Sequence, residues 1–207
     1  MNYPPTLGVV LSGGHARRMG GSDKYRIQIG GSIILDRILE RLRPQCSGII
    51  FNSNSDPESA PAGLTAVPDS VPGYPGPLAG ILAGLDWAAR NEPEISWLVS
   101  VPSDCPFLPR DLVARLHQAR SDGHAMLACA ESDGRRHPTV ALWPIRLRED
   151  LRLAITTEQM RAVHEWTARY SLAVATWADA PVDPFFNVNT PDDVAAAAAL
   201  AARYPAA

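Results

Sequence analysis

A basic, glycine-rich segment follows the first apolar run of the sequence and could bind a phosphate chain. Between Ser12 and Lys24 there are two glycine pairs and three basic side chains against a single acid. Paired glycines let backbone amides approach phosphate oxygens, and the basic side chains supply opposite charge. The spacing matches neither a P-loop nor GxGxxG, and a solvated surface loop would have a similar composition. The candidate phosphate contacts are Gly13, Gly14, Arg18 and Lys24.

Lys24 is the single lysine among the 19 basic side chains of the chain. An ammonium is a compact point charge, whereas a guanidinium is a planar fork, so the two are not interchangeable at every site. A flexible ammonium can follow phosphate oxygens whose charge shifts as a leaving group departs. We therefore expect even the substitution Lys24→Arg to lower activity.

A carboxylate follows the third apolar run, and it is a candidate metal ligand. Asp104 stands three positions after Val101, the last residue of that run, and lies between Pro102 and Pro106. Magnesium uses one or two carboxylates together with substrate phosphates, and the flanking prolines would hold this carboxylate rigidly. We expect Asp104 to bind Mg²⁺. The neighbouring Cys105 has no histidine in a recognisable pattern and is not expected to act as a nucleophile.

Two polar side chains are candidates for contacts to a nucleoside. Asn52 ends the second apolar strand, and Asp69 stands in the stretch Pro68 to Pro77, which has four prolines and two glycines and reads as a rigid loop. Either side chain could accept hydrogen bonds from a base edge or a ribose. Either could equally be an ordinary turn residue.

The second half of the chain has two further polar groups. A polar loop predicted from Ser132 to Pro138 contains two arginines and a histidine, which suit a second anion, and an Asn-Val-Asn run precedes a predicted helix start. A solvated hairpin loop and simple turn-and-cap chemistry are the alternatives. The candidate residues are Arg135, Arg136, His137, Asn187 and Asn189.

Composition and charge exclude several classes of protein. A chain of 207 residues with 46% hydrophobic residues and a net charge of −3 is typical of a globular protein and lacks the basic surface of a nucleic-acid coat. It has no apolar run of about 18 residues and no secretory leader pattern, so we expect neither membrane insertion nor export. Three widely spaced cysteines fit a reducing compartment, and we expect a cytoplasmic protein.

The elements that must position these residues repeat as strand, loop and helix three times up to Arg120, which predicts a parallel sheet with ligands bound beyond the carboxyl ends of its strands. After Arg120 we expect further strands, helical stretches at 145–156 and 158–168, and a last helix with Thr190 as its N-cap. The predicted fold is a Rossmann-like three-layer α/β sandwich in a single domain. The predicted strands are 7–11, 48–52, 65–67, 97–101, 125–130, 139–143 and 171–177, and the other predicted helices are 33–43, 78–91, 110–120 and 192–203.

With these residues assembled, the sequence resembles the molybdenum cofactor guanylyltransferases of the nucleotidyltransferase superfamily. The resemblance extends from Leu7 to about Val194 and rests on five motifs in order. Ser12 and Ser103 depart from it, since the family usually has alanine and cysteine there, but both changes keep a small side chain. The motifs are Leu-x-Gly-Gly-x-x-x-Arg-Met-Gly with the following lysine, Gly-Pro-Leu-Ala-Gly, Pro-x-Asp-x-Pro-Phe-Leu-Pro, His-Pro-x-x-Ala-Leu and Asn-Val-Asn-Thr-Pro.

The resemblance implies a GT-A-like fold and transfer of GMP from GTP to the phosphate of molybdenum-molybdopterin, with release of pyrophosphate. It implies Asp104 as the ligand of Mg²⁺, residues 7–120 as the nucleotide-binding half and 121–207 as the acceptor-binding half. Cofactor-inserting or chaperone proteins would be further partners, and a monomer is expected. The implied GTP contacts are Leu11, Ser12, Gly13, Lys24, Asn52, Asp69 and Asp104.

Other functions compete with this interpretation. A relative in the same superfamily could use CTP or another phosphorylated acceptor, and a non-catalytic module could bind nucleotide and deliver cofactor. Asp104 and Lys24 argue against a pure binding module, since binding alone needs no carboxylate that fixes a metal. A dinucleotide-dependent oxidoreductase is disfavoured because GxGxxG is missing and Asn52 stands where an acid would end the second strand.

Overall fold

The structure is a computed structural model that describes residues 3–12, 24–55, 60–71, 73 and 76–205. Apolar runs form most strands of its main sheet, and segments with helical spacing form its helices. The strands are β1 (Thr6–Leu11), β2 (Gln28–Ile29), β3 (Ser32–Ile33), β4 (Gly48–Asn52), β5 (Thr65–Val67), β6 (Trp97–Pro102), β7 (Leu127–Ser132), β8 (Arg135–Pro144) and β9 (Leu172–Trp177). The α-helices are α1 (Ile34–Leu42), α2 (Pro77–Asn91), α3 (Leu112–Asp122), α4 (Arg148–Thr156), α5 (Val163–Thr167) and α6 (Pro191–Arg203).

Seven of the strands form one sheet in the order β5-β4-β1-β6-β8-β7-β9. Neighbouring strands are parallel except at β8, which is antiparallel to both β6 and β7. The predicted, mainly parallel sheet is confirmed. Because β8 runs the opposite way, its first residues lie at the same edge as the last residues of β1, β4, β6 and β7. This carboxyl edge collects most of the predicted site residues.

Helices cover both faces of the sheet because its strands carry apolar side chains on both sides. Val9 and Val10 are adjacent in β1 and fully buried, yet they belong to different clusters. Val10 packs in the cluster that contains residues of α1, α3 and α6, whereas Val9 packs in the cluster of α2, α4 and α5. The predicted three-layer α/β/α sandwich is therefore confirmed.

The prediction of a polar loop from Ser132 to Pro138 is wrong for most of these residues, which belong to β7 and β8. Only Asp133 and Gly134 separate the two strands, and their φ angles are 46° and 67°. Two consecutive positive φ angles make a tight hairpin turn whose twist suits the flanking strands, and Asp-Gly is a typical sequence for it. The residues placed in β8 rather than in a loop are Arg135, Arg136, His137 and Pro138.

The helices differ from their predicted bounds mainly at α5. The helix predicted over 158–168 is limited to Val163–Thr167, because Gln159 has a φ of 60° and interrupts helical geometry after α4. The start of α6 is as predicted, with Thr190 as N-cap and a capping box to Asp193. Over the part of the chain that the structure describes, no helix has the length and apolarity needed to cross a membrane.

Candidate active site

Asp104 and Lys24 lie together at the carboxyl edge of the sheet. Asp104 follows the end of β6, and Lys24 begins a short 3-10 turn that leads into β2. The Lys24 Nζ and Asp104 Oδ2 atoms are 3.6 Å apart, and the two side chains are 27% and 16% exposed. Burial raises the pKa of Asp104, and the charge of Lys24 opposes that rise. A carboxylate that loses hydration in this way gains from any further cation at the site.

Lys24 contacts Asn189 as well as Asp104. Lys24 Nζ donates a hydrogen bond to Asn189 Oδ1 over 2.5 Å, across 165 positions of sequence. The Asn189 backbone N–H in turn donates to Asp193 Oδ2, 2.9 Å away in the first turn of α6. The start of α6 therefore holds Asn189 against the lysine. Asn189 thus lies beside Lys24, and its predicted contact to the acceptor stays a prediction.

Asn187 is held beside Asp104 by two contacts. The backbone N–H of Val188 donates to the carbonyl oxygen of Asp104 over 2.9 Å, and the Cys105 thiol donates to Asn187 Oδ1 over 3.2 Å. The thiol is buried, and that burial, followed by the charge of Asp104, raises the pKa of Cys105 well above its ordinary value. Cys105 is therefore a neutral thiol that donates to the side-chain oxygen of Asn187 and orients that amide.

A second polar cluster lies where β4 and β5 end. The buried Asn52 donates through Nδ2 to the Val67 carbonyl oxygen at 3.1 Å and to Asp69 Oδ1 at 2.9 Å. Asn54 Nδ2 donates to Asp69 Oδ2 over 2.7 Å, and Asp69 N–H donates back to Asn54 Oδ1 over 2.8 Å. The predicted pair of Asn52 and Asp69 is thus one hydrogen-bonded unit with a third member.

The first turn of α2 packs directly on this unit. A Cβ atom built at Gly80 would lie 2.2 Å from Asn52 Oδ1 and 3.0 Å from Leu11 Cδ2. A side chain at position 80 would therefore displace Asn52. The glycine at the end of the Gly-Pro-Leu-Ala-Gly run is required by this close approach, which brings the N-terminal end of α2 next to the cluster.

Backbone hydrogen bonds align the ends of three neighbouring strands. Ser12 N–H donates to the Asn52 carbonyl oxygen over 2.9 Å, and Ser103 N–H donates to the Leu11 carbonyl oxygen over 3.0 Å. The residues after β1, β4 and β6 therefore continue the ladder of the sheet and lie side by side. Leu11 and Ser12 are thus placed between the Asn52 cluster and Asp104. Three expected phosphate contacts, Gly13, Gly14 and Arg18, lie outside the described residues.

His137 belongs to a third group, near the start of β8. Its Nε2 atom is 2.8 Å from Ser132 Oγ, and Ser132 Oγ donates to Asp183 Oδ1 over 2.8 Å. The His137 ring also packs on Phe185, with centroids 4.7 Å apart. Burial lowers the pKa of His137, which is therefore neutral at pH 7.

The two arginines predicted beside His137 lie on different faces of β8. Arg135 is exposed two positions before His137, so it shares the face of His137, and its positive charge helps to lower the pKa of that ring. Arg136 lies on the opposite face of the sheet, since neighbouring side chains of a strand alternate. There it lines a cavity of about 460 Å³ that His164 and Tyr170 also line. Arg136 is therefore separated from His137 and Arg135, and the predicted acceptor contacts of all three residues stay a prediction.

Sequence reasoning missed Asn54, Ser132 and Asp183. The Asp-Gly hairpin signal places Ser132 across from β8, so correct reading of that turn would have brought it next to His137. Asp183 lies four residues before Asn187, and no local pattern marks it. Its partner is 51 positions away, and only the tertiary fold reveals that contact.

The donor set at Asp104 fits Mg²⁺ in the presence of a phosphate substrate. No group of three or more His, Cys, Asp or Glu side chains suited to a metal occurs in the described ranges. Asp104 supplies one hard carboxylate, and magnesium commonly completes its shell with water and phosphate oxygens. A zinc or Fe–S site would need several nitrogen or sulfur ligands, which this edge of the sheet does not offer within those ranges.

Comparison with known proteins gives consistent matches over nearly the whole chain. Residues 8–174 match the model of the MobA-like NTP transferase domain. The molybdenum cofactor guanylyltransferase of Nitrobacter hamburgensis is 56% identical over 203 residues, which cover 98% of this chain and 97% of that protein. The protein of the same name from Rhodopseudomonas palustris (strain BisB5) is 53% identical, with 98% and 97% covered.

Solved structures show the same fold at lower identity. The molybdopterin-guanine dinucleotide biosynthesis protein A of Archaeoglobus fulgidus superposes with a TM-score of 0.73 at 22% identity, covering 96% of this chain and 99% of that one. The 2-C-methyl-D-erythritol 4-phosphate cytidylyltransferase of Thermus thermophilus has a TM-score of 0.66 at 18% identity, with 97% and 100% covered. The fold is thus shared among enzymes whose names specify different nucleotides.

Proposed function

The chain belongs to the molybdenum cofactor guanylyltransferases, and from that membership we propose that it transfers GMP from GTP to the phosphate of molybdenum-molybdopterin. An acceptor phosphate oxygen forms the new bond to the α-phosphorus, and the bond to the β-phosphate oxygen breaks to release pyrophosphate. The observation that carries the proposal is the placement of Lys24, Asp104 and Asn189 at one edge, within hydrogen-bond or ion-pair distance.

Charge neutralisation and alignment are the main tasks of such a site, because both reactants are anions. Lys24 supplies a positive charge beside Asp104, and it is held there by Asn189. The two asparagine side chains accept hydrogen bonds from Cys105 and Lys24 through oxygen, so their amide N–H groups are left to donate to phosphate oxygens. No protein nucleophile is needed, and the buried, neutral Cys105 thiol offers none.

The nucleoside is proposed to lie over the unit formed by Asn52, Asn54 and Asp69. Its polar atoms line the edge between β4 and β5, and the N-terminal end of α2 adds free backbone amides beside it. The hydrogen bonds among the three side chains orient them before substrate arrives, which lowers the ordering cost of binding. Leu11 and Ser12 lie between this unit and Asp104 and would contact the sugar and phosphates.

Asp104 is the residue proposed to hold Mg²⁺. The bound ion would neutralise charge on the triphosphate and on the departing pyrophosphate. The neighbouring Lys24 shares that electrostatic task from the protein side. Burial of Asp104 favours its pairing with a cation, and its backbone is fixed by the bond from Val188.

The substitution Asp104→Asn tests the proposed reaction and its metal site together. It keeps the shape of the side chain but removes the charge, so we expect GMP transfer to fall by about 100-fold or more, as when a main electrostatic group is lost. The measurement is pyrophosphate release with each of the four nucleoside triphosphates, with and without the molybdenum-bearing pterin, during titration with Mg²⁺. Thermal unfolding should show an intact fold.

Asp122→Asn is the matched control, since this exposed carboxylate at the end of α3 lies away from the site. Turnover with CTP and none with GTP would contradict the proposed nucleotide. An Asp104→Asn enzyme with wild-type turnover and Mg²⁺ dependence would contradict the metal assignment.

A further inference from the structure

The direction of the hydrogen bonds from His137 to Asp183 can be assigned from the groups involved. An ionised Asp183 carboxylate only accepts, so the single hydroxyl proton of Ser132 points to Asp183. Ser132 Oγ must then accept a proton from His137 Nε2. His137 is therefore the Nε2–H tautomer, and its Nδ1 atom carries a lone pair.

This Nδ1 atom has no hydrogen-bond partner among the residues that the structure describes. His137 is only half-buried, so a molecule at the edge of the sheet can approach its ring. The Phe185 ring packs against one side of the imidazole, with 4.7 Å between centroids. A neutral ring nitrogen that is oriented by a fixed partner is an acceptor for an N–H group.

The 183–189 segment connects His137 to the charged part of the site. Asp183 reaches Ser132, and the Phe185 carbonyl oxygen is 3.8 Å from Cys105 Sγ, next to Asp104. At the other end of the segment, Asn189 contacts Lys24. One short stretch of chain therefore extends from the phosphate-binding residues to His137.

We infer that Asp183 and Ser132 position His137 so that its Nδ1 atom accepts a hydrogen bond from the N–H edge of the pterin ring of the acceptor. A pterin is a fused pyrimidinone whose amide and amino groups supply such donors. This inference rests on the proposed function. His137 is the contact residue in this assignment, and Asp183 and Ser132 act through it.

Nitrogen-15 NMR of the histidine ring tests the tautomer independently of activity. In the wild-type protein we expect the proton of His137 on Nε2, and addition of a phosphorylated pterin should shift the Nδ1 resonance. In Asp183→Ala the Ser132 hydroxyl is free to donate to Nε2, so the proton should move toward Nδ1. The inference is overturned if wild-type His137 is protonated on Nδ1, or if the chemical shift of its Nδ1 resonance does not change when the pterin is added.

Kinetics test the link to the acceptor. We expect Asp183→Ala and Ser132→Ala to raise the KM for the pterin about tenfold, the factor that one lost hydrogen bond gives, with the KM for GTP unchanged. Asp179→Ala, at an exposed carboxylate on the same connection, is the control and should change neither constant. An equal rise in both KM values would mean general loss of structure and would refute the assignment.

The two proposals fail in different ways. If the wild-type enzyme transfers no GMP, the proposed function is wrong, whatever the tautomer of His137. If GMP is transferred but the pterin KM and the Nδ1 resonance are insensitive to Asp183 and Ser132, only the positioning role is wrong.

Discussion

At the scale of single residues, Lys24 illustrates why one side chain cannot be exchanged for a similar one. Its Nζ atom lies 2.5 Å from Asn189 Oδ1 and 3.6 Å from Asp104 Oδ2, a space suited to a compact ammonium. A guanidinium in Lys24→Arg is wider and planar, so it would push one partner away. We expect kcat/KM for GMP transfer to fall about 10- to 100-fold, the effect of a lost charge-assisted hydrogen bond.

Steady-state kinetics with GTP, at fixed pterin, measure this loss. Arg43→Lys, the reverse exchange at an exposed position after α1, should leave kcat/KM unchanged. Full turnover by Lys24→Arg would mean that only positive charge matters at this position, and the compositional rarity of lysine would be without functional meaning.

The sequence indicates which residues lie at the carboxyl edge of the sheet, but it does not indicate their hydrogen-bond partners. Asn187 and Asn189 contact Cys105 and Lys24, and their predicted contacts to the acceptor stay a prediction. Their partners depend on the path of the 183–189 segment, which no periodic pattern determines. Asn52 and Asp69, by contrast, follow adjacent parallel strands, so their contact could be predicted from strand order.

At the scale of elements, the start of α6 contributes both to stability and to the site. Thr190 accepts a hydrogen bond from Asp193 N–H, and Asp193 Oδ2 accepts from the backbone of both Asn189 and Thr190. In Thr190→Ala one helical N–H loses its partner, so we expect the free energy of unfolding to fall by about 1 kcal/mol. Urea unfolding followed by circular dichroism gives this value.

Thr190→Ser keeps the hydroxyl and should retain most of the stability, which makes it the control for the cap. A Thr190→Ala protein with the urea midpoint of the wild type would show that the hydrogen bond from Asp193 N–H to the Thr190 hydroxyl is not stabilising. Because Asn189 is held by the same aspartate, GMP transfer should decline in step with the loss of the cap.

Apolar runs predict the central strands well, because a buried parallel strand must be apolar on both faces. The strands β4 and β5 have the predicted bounds, and β1 and β6 differ by one residue at one end. The second half is harder to predict. There, two residues with positive φ, Asp133 and Gln159, shorten a loop and a helix, and neither conformation follows from hydrophobic spacing.

At the scale of the whole molecule, a buried histidine far from the site couples stability to pH. His117 stacks on Tyr3, meets the edge of Trp97 and bonds to Thr6 Oγ1 over 2.8 Å. Burial, followed by the charge of Arg120, lowers the pKa of His117 to about 4. The unfolded chain, with an ordinary histidine pKa near 6.5, therefore binds this proton more readily than the folded protein does.

The contribution of neutral His117 to the free energy of unfolding is fully present above about pH 6.5. It is lost as the pH falls toward 4, by about 3 kcal/mol in total. The His117→Phe variant keeps the ring contacts but cannot titrate. Urea unfolding at several pH values should show the wild type losing this advantage relative to the variant. A constant difference between the two proteins from pH 7 to pH 4 would contradict the buried, neutral state of His117.

The contact between Lys24 and Asn189 also has a consequence for synthesis of the protein. Because 165 positions separate these residues, a growing chain cannot close its charged centre until Asn189 has left the ribosome. The strands β1, β4 and β6 can pair earlier, so a sheet without a working centre precedes the complete enzyme. A nascent chain arrested before Asn187 would therefore contain the strands of the sheet but neither of the asparagines that contact Cys105 and Lys24.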